Sequence, residues 1–98
     1  MKITKTLNGS KLIIALEGRM DTSTAPDLEA TLKNHLDDVE ELTIDMAQLE
    51  YLSSAGLRVL LGAQKTMNRQ GRMIVKNVND TIMEIFDVTG FTEILTIE

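Results

Sequence analysis

The chain has no cysteine and no tryptophan. No disulfide, thiolate nucleophile or cysteine metal site is therefore available, a composition compatible with a reducing compartment. Tyr51, Phe86 and Phe91 are the only aromatic side chains, so platforms for stacking bases or sugars are nearly absent. His35 is the single histidine, which leaves no histidine cluster for zinc and no evident general base. Lys and Arg number 10 against 15 Asp and Glu, a net charge of −5. That balance argues against nucleic acid or an anionic membrane surface as the main partner. No apolar run approaches membrane-spanning length, and Met1-Lys2-Ile3-Thr4-Lys5 lacks the apolar centre of a signal peptide, so direct membrane insertion is not expected and the cytosol is the expected setting. Taken together, these absences favour a binding module over an enzyme, and they call for no cofactor.

What is present reads as one compact α/β domain over residues 1–98. At 98 residues, 43% hydrophobic and 26% charged, the chain can bury one modest core. Ile3 to Leu7 and Leu12 to Leu16 read as strands joined by Asn8-Gly9-Ser10, a strong hairpin signal. The second of them is a continuous apolar run, which predicts cover on both faces. A polar loop, Arg19 to Ser23, leads into a helix with Thr24 and Asp27 at capping-box spacing, Pro26 in its first turn, and a stripe of Leu28, Leu32 and Leu36. His35 borders that stripe as a half-buried rim residue. Leu42 to Met46 alternates as a third strand, with Ala47 to Leu52 as its connector. A second helix follows and ends near Gly71. Met73 to Lys76 form a fourth strand, Asn79 or Asp80 caps a third helix stopped by Gly90, and Ile94 to Ile97 are expected as a final strand. The order β-β-α-β-α-β-α-β implies crossovers, hence a mixed, largely parallel sheet with helices packed on it.

Sites in such sheets form beyond the carboxyl ends of the parallel strands. Asp21 follows strand two, Ser53 and Ser54 follow strand three, and Asn77 follows strand four, so all three loops are expected at one edge. Ser54 opens the second helix and is read as its cap, a role worth about 1 kcal/mol. The same position suits a phosphate, because the helix dipole favours negative charge there. A nucleophilic serine finds no support: Gly-x-Ser-x-Gly is missing and His35 lies on another helix. Asp21 either tightens its own loop or orients the serine, holds a metal–nucleotide, or contacts a kinase. Asp45 carries the same ambiguity, and a small hydrolase or nucleotide-binding enzyme using Asp21, Asp45 and Ser54 is the rival from another class. Arg58, Lys65, Arg69 and Arg72 make the second helix and its exit basic, as a solvated face or as a contact surface for an acidic partner.

The stretch Tyr51-Leu52-Ser53-Ser54-Ala55-Gly56-Leu57-Arg58-Val59-Leu60-Leu61 resembles the signature of the STAS domain, in particular the stand-alone bacterial anti-anti-sigma factors (anti-sigma factor antagonists). Leu16 to Asp21 is similar to the family's strand-two exit, Leu42 to Leu49 to its third strand and turn, and Gly90-Phe91 to its last helix exit, so the resemblance covers nearly the whole chain. It implies a substrate and binding partner, not a catalyst. The unphosphorylated antagonist binds an anti-sigma factor that is also a serine kinase, and the sigma factor is released. Phosphorylation ends the association, and a PP2C-type phosphatase restores it. By position in the motif the phosphoacceptor falls on Ser54, with Ser53 as the competing acceptor. The partner contacts fall on Asp21, Ser53, Ser54, Gly56, Leu57 and Arg58. Where many members carry Asp-Ser-Ser-Gly or Asp-Ser-Thr-Gly, this chain has Ser53 in place of the aspartate and Ala55 in place of the second hydroxyl residue. STAS domains also serve membrane transporter complexes, which makes a non-phosphorylated regulatory subunit of such a complex the alternative.

Overall fold

Asn8 and Gly9 close the expected hairpin: β1 (Lys2–Asn8) runs antiparallel to β2 (Lys11–Met20), with Asn8 opposite Lys11. A computed structural model of the chain describes residues Met1–Glu98. The crossover helices α1 (Ala25–His35) and α2 (Ser54–Gln70) connect β2 to β3 (Glu41–Leu52) and β3 to β4 (Arg72–Lys76). Both of these strand pairs are parallel, and the sheet order is β1-β2-β3-β4. Helix α3 (Asp80–Thr89) follows, capped by Asn79, whose side chain accepts from the Ile82 N–H, and closed by Gly90. The α/β class and the mixed, largely parallel sheet are those expected from the sequence.

The final strand is reduced to a single parallel bridge between Val75 and Ile97. A 3-10 turn at Phe91–Glu93 accounts for this. The N–H groups of Ile94 and Leu95 both donate back to the Phe91 carbonyl, so that backbone is already committed to a turn. Only the last residues reach β4, through Val75 N–H to Thr96 O and Glu98 N–H to Val75 O, each at 2.9 Å.

Two successive right-handed crossovers that step in one direction across a sheet place their helices on the same face. Strand β2 is accordingly covered on one side only, contrary to the two-sided cover its apolar run suggests. Leu12, Ile14 and Leu16 are buried against the helices, while Ile13 points to the open face and is 44% exposed. The α1 stripe of Leu28, Leu32 and Leu36, with Leu60 and Met67 of α2 and Ile82 and Phe86 of α3, completes one continuous core. Burying these side chains at about 1.5–3 kcal/mol each supplies the main favourable contribution to folding.

Strand β3 is longer than its alternating segment. Ala47 to Leu52, read above as a connector, continues the strand beside β2. Two bulges hide this from a period-two reading: Ala15 faces Asp45 but Glu17 faces Gln48, and Gly18 faces Leu49 but Arg19 faces Tyr51. Each bulge inserts one extra residue in β3 and restores the alternation beyond it. Met46, Leu49 and Leu52 therefore all face the core although they are spaced by three. Gly18 sits at the second irregularity with φ 102°, a backbone conformation that a residue with a Cβ reaches only under strain.

Phe86 is fully buried and is among the largest side chains of the core. Phe86→Ala is expected to lower stability by about 3–5 kcal/mol, read as a shift of the urea midpoint at unchanged m-value.

Candidate functional site

Strands β2 and β3 end in register, Met20 opposite Leu52. The Ser53 N–H then donates to the Met20 carbonyl at 2.8 Å, so the pairing runs one step past the ends of both strands. Asp21 and Ser53 therefore leave the sheet side by side, as the topology predicts. Asn77 does not join them. Strand β4 stops opposite Asp45 while β3 continues to Leu52. At about 3.3 Å per residue, on the order of 20 Å of strand separates that point from the site. Asn77 instead donates from Nδ2 to Asp45 Oδ1 at 3.0 Å, and the same oxygen accepts from the Ala47 N–H at 3.0 Å. Asp45 is thereby tied to the first bulge and is no part of the site.

The two serines divide the roles that the sequence leaves together on Ser54. Ser53, not Ser54, is the N-cap of α2: its backbone is extended, its carbonyl accepts from the Leu57 N–H at 3.0 Å, and its hydroxyl accepts from the Gly56 N–H at 3.5 Å. The cap moves back by one residue because the parallel pairing holds Ser53 in the extended conformation that a cap needs. Ser54 becomes the first helical residue. Its side chain is exposed and makes no hydrogen bond within the chain. No acidic residue lies in the first turn of α2, so the positive end of the helix dipole there has no carboxylate partner on its own helix.

Gly56 and Leu57 are buried, which removes their side chains from direct contact with a partner. Gly56 governs instead how closely α2 approaches the strand ends. A Cβ there would lie 2.5 Å from Leu52 Cδ1 and 2.8 Å from Met20 Sδ, closer than packed atoms allow. A larger residue would have to displace the buried ends of Leu52 and Met20 or lift the helix start, and Ser54 with it, off the sheet. Arg58 is exposed one turn after Ser54, at the i+4 position that faces it along the helix.

Asp21 organises its own loop. Its Oδ1 accepts from the Ser23 N–H at 3.0 Å, the Ser23 hydroxyl at 2.7 Å and the Thr24 N–H at 3.1 Å. Its backbone carbonyl accepts from the Ala25 N–H at 2.8 Å. Thr24 makes no side-chain cap to α1, so the Thr24–Asp27 capping box does not form. The Thr24 hydroxyl turns back, accepting from the Asp21 N–H at 2.8 Å and donating to the Arg19 carbonyl at 2.9 Å. The Ser23 hydroxyl, with the N–H groups of Ser23 and Thr24, holds the Asp21 carboxyl below the ordinary 3.8 against an opposing desolvation. Asp21 makes no hydrogen bond to Ser53 or Ser54.

One pair at this edge escaped the sequence. Arg19 lies over the Tyr51 ring, 4.4 Å from its centroid, a cation–π contact on the open face of the strand ends that lead to Asp21 and Ser53. The residues are far apart in sequence, and only the bulged register of β2 on β3 brings them opposite each other. His35 is half-buried with Nδ1 2.8 Å from the Thr31 carbonyl oxygen, within its own helix. Neither serine hydroxyl has it as a base.

Comparison with known proteins places these residues in a family. The model of the STAS domain family matches residues 2–98. BtrV of Bordetella bronchiseptica, a candidate anti-sigma factor antagonist, is 33% identical over 99 residues, covering 99% of this chain and 85% of BtrV. The anti-sigma-B factor antagonist of Listeria monocytogenes is 32% identical over 89 residues, covering 87% of this chain and 76% of that protein. Among solved structures, SpoIIAA in its unphosphorylated form shares the fold with a TM-score of 0.86 at 18% identity, covering 99% of this chain and 88% of SpoIIAA. The phosphorylated form of SpoIIAA, from Bacillus, gives a TM-score of 0.77 at the same 18% identity, covering 99% of this chain and 91% of that one.

The Asp21 network makes a pH-dependent contribution with a defined sign. A carboxyl whose pKa is depressed by folding stabilises the native state fully above its unfolded value, 3.8, and loses that contribution as pH falls through the lower folded value. Asp21→Ala is therefore expected to unfold at lower denaturant than the wild type at neutral pH, with the gap narrowing below pH 3.8. A carboxyl NMR titration of Asp21 should show its midpoint below that same value.

Proposed function

The chain belongs to the STAS domain family, and we propose that within it the protein is an anti-sigma factor antagonist controlled by phosphorylation of Ser54. In its unphosphorylated form it binds an anti-sigma factor serine kinase and thereby frees the sigma factor. A phosphate on Ser54 ends that association, and a PP2C-type phosphatase resets it. The protein is a substrate in this cycle and not a catalyst.

The observation that carries this reading is the contrast between the two serines. Phosphoryl transfer needs an accessible hydroxyl with no competing bond, and Ser54 is exposed and unpartnered. Ser53 is half-buried and its hydroxyl is the cap of α2, so modifying it would give up the cap bond, worth about 1 kcal/mol. A phosphate adds about 1.5–2 negative charges at pH 7. At Ser54 that charge meets the uncompensated N-terminus of α2, where an anion is stabilised by about 0.3–1 kcal/mol, and Arg58 stands one turn away. The fold can therefore carry the modification while the electrostatics of the exposed edge are inverted. The named antagonists of Bordetella and Listeria, both above 30% identity, support the assignment of role. On the partner-facing side, Asp21, Ser53, Ser54 and Arg58 supply the contacts, with Gly56 and Leu57 setting the height of the helix behind them.

Incubation with a cognate anti-sigma factor kinase and ATP is expected to place a single phosphate on Ser54, mapped by mass spectrometry. Ser54→Ala should take no phosphate and bind the kinase constitutively. Ser54→Asp should bind at least about tenfold more weakly, the equivalent of 1.4 kcal/mol, while its melting temperature stays within a few degrees of wild type. Phosphate found only at other residues, or none, would sink the assignment.

A further inference from the structure

The outward stripe of α2 carries charge of one sign in a chain of net charge −5. Helix α2 contains no acidic residue. Arg58, Lys65 and Arg69 are exposed and follow one another at i, i+7 and i+11, one line along the helix. None of them takes part in an ion pair; the pairs that form are Lys11–Glu41, Lys33–Glu29 and Arg72–Glu41. Arg72, grouped with them in the sequence, is taken up by Glu41 at 3.2 Å. Three cations on one face of one helix are thus left unpaired in an acidic protein.

A groove of ≈ 330 Å³ runs between this stripe and α1. Its floor is apolar, formed by Leu32, Leu36, Val59 and Ala63. Gly62 opens it at the centre, where a Cβ would meet nothing within 4 Å. Gln70 fixes the far end by donating from Nε2 to the Leu36 and Val39 carbonyls, both at 2.7 Å. The α1 rim has a different charge: Glu29 and Lys33 pair with each other at 3.9 Å, and Asp37 adds a carboxylate. Of the stripe, Arg58 lines the groove itself, while Lys65 and Arg69 lie outside it on the same helix.

We propose that this groove is a docking surface for an acidic amphipathic helix presented by a partner protein. The apolar residues of that helix lie over Leu36, Val59 and Ala63, and its carboxylates align with Arg58, Lys65 and Arg69. At 1.5 Å per residue these cations stand about 10 and 16 Å apart from the first, the spacing of two and three turns of an opposing helix. Arg58 on the α2 side, with Lys65 and Arg69 beyond it, sets which edge of the occupant faces α2. A polyphosphate or an anionic membrane fits less well, because the apolar floor offers it nothing and Glu29, Asp37 and the net charge repel it. Arg58 also lies at i+4 from Ser54, so a phosphate there would draw it away from the groove. That coupling rests on the Ser54 reading; the docking surface does not.

The test uses the 15N-labelled full chain and a synthetic helical peptide with glutamates at i, i+7 and i+11 beside a leucine face. Saturating shifts are expected at the amides of Val59, Gly62, Ala63 and Thr66. Affinity should fall at least about tenfold in Lys65→Glu/Arg69→Glu and decline with added salt. Gly62→Gln, which fills the groove with a better helix former, should weaken binding while raising thermal stability. No saturating shift, unchanged affinity in the charge-reversed variant, or equal binding of a peptide with lysine for glutamate overturns the proposal. Preferential binding to phosphatidylglycerol vesicles overturns it as well. Because no arm uses a phosphate or the kinase, its failure and that of the Ser54 assignment are separable.

Discussion

The N–H of Ser53 donates to the carbonyl of Met20, and much of the molecule depends on that bond being made where it is. It ends the parallel pairing of β2 and β3 and holds Ser53 extended. Helix α2 then starts at Ser54 with its first turn pressed against Met20 and Leu52. Shift the register by one residue and the inward set of β3 turns outward, the cap moves, and the free hydroxyl becomes a buried one. The bulges in β3 are what bring the two strand ends level, and Gly18 supplies the backbone freedom at the second of them.

From that constraint follows a separation between holding and switching. Capping, packing and loop closure are assigned to Ser53, Gly56 and the Asp21–Thr24 loop, all engaged by partners within the chain. Ser54 is left with no internal duty. A group that contributes little to the native fold can change its charge without unfolding it, and a helix N-terminus is the backbone environment that best tolerates added negative charge. Regulation by modification is cheap at such a position for structural reasons.

The one-sided sheet has a second consequence. With α1 and α2 adjacent on one face, a groove follows their seam, and Arg58 of α2 lines it. The Ser54 hydroxyl and the seam share Arg58 as a neighbour. Charge placed at Ser54 would act on the near end of the seam through Arg58, its i+4 neighbour.

Sequence by itself determined the elements and their order as far as α3, because local signals decide them: Asn8-Gly9 closes the hairpin, leucines at every fourth residue build α1, and Asn79 and Gly90 bound α3. It also brought Asp21 and the serines to one edge, since parallel crossovers leave no other arrangement. The tertiary structure decided what depends on register. Met46, Leu49 and Leu52 conceal a strand because bulges on β3 change its period. Asn77 falls short of the site because β4 ends early beside a longer neighbour. Ser53 takes the cap because a backbone bond to another strand fixes its conformation. Arg19 meets Tyr51 only through the bulged pairing. Two adjacent serines look alike in a sequence; they differ only once the strand next door has used the backbone of one of them.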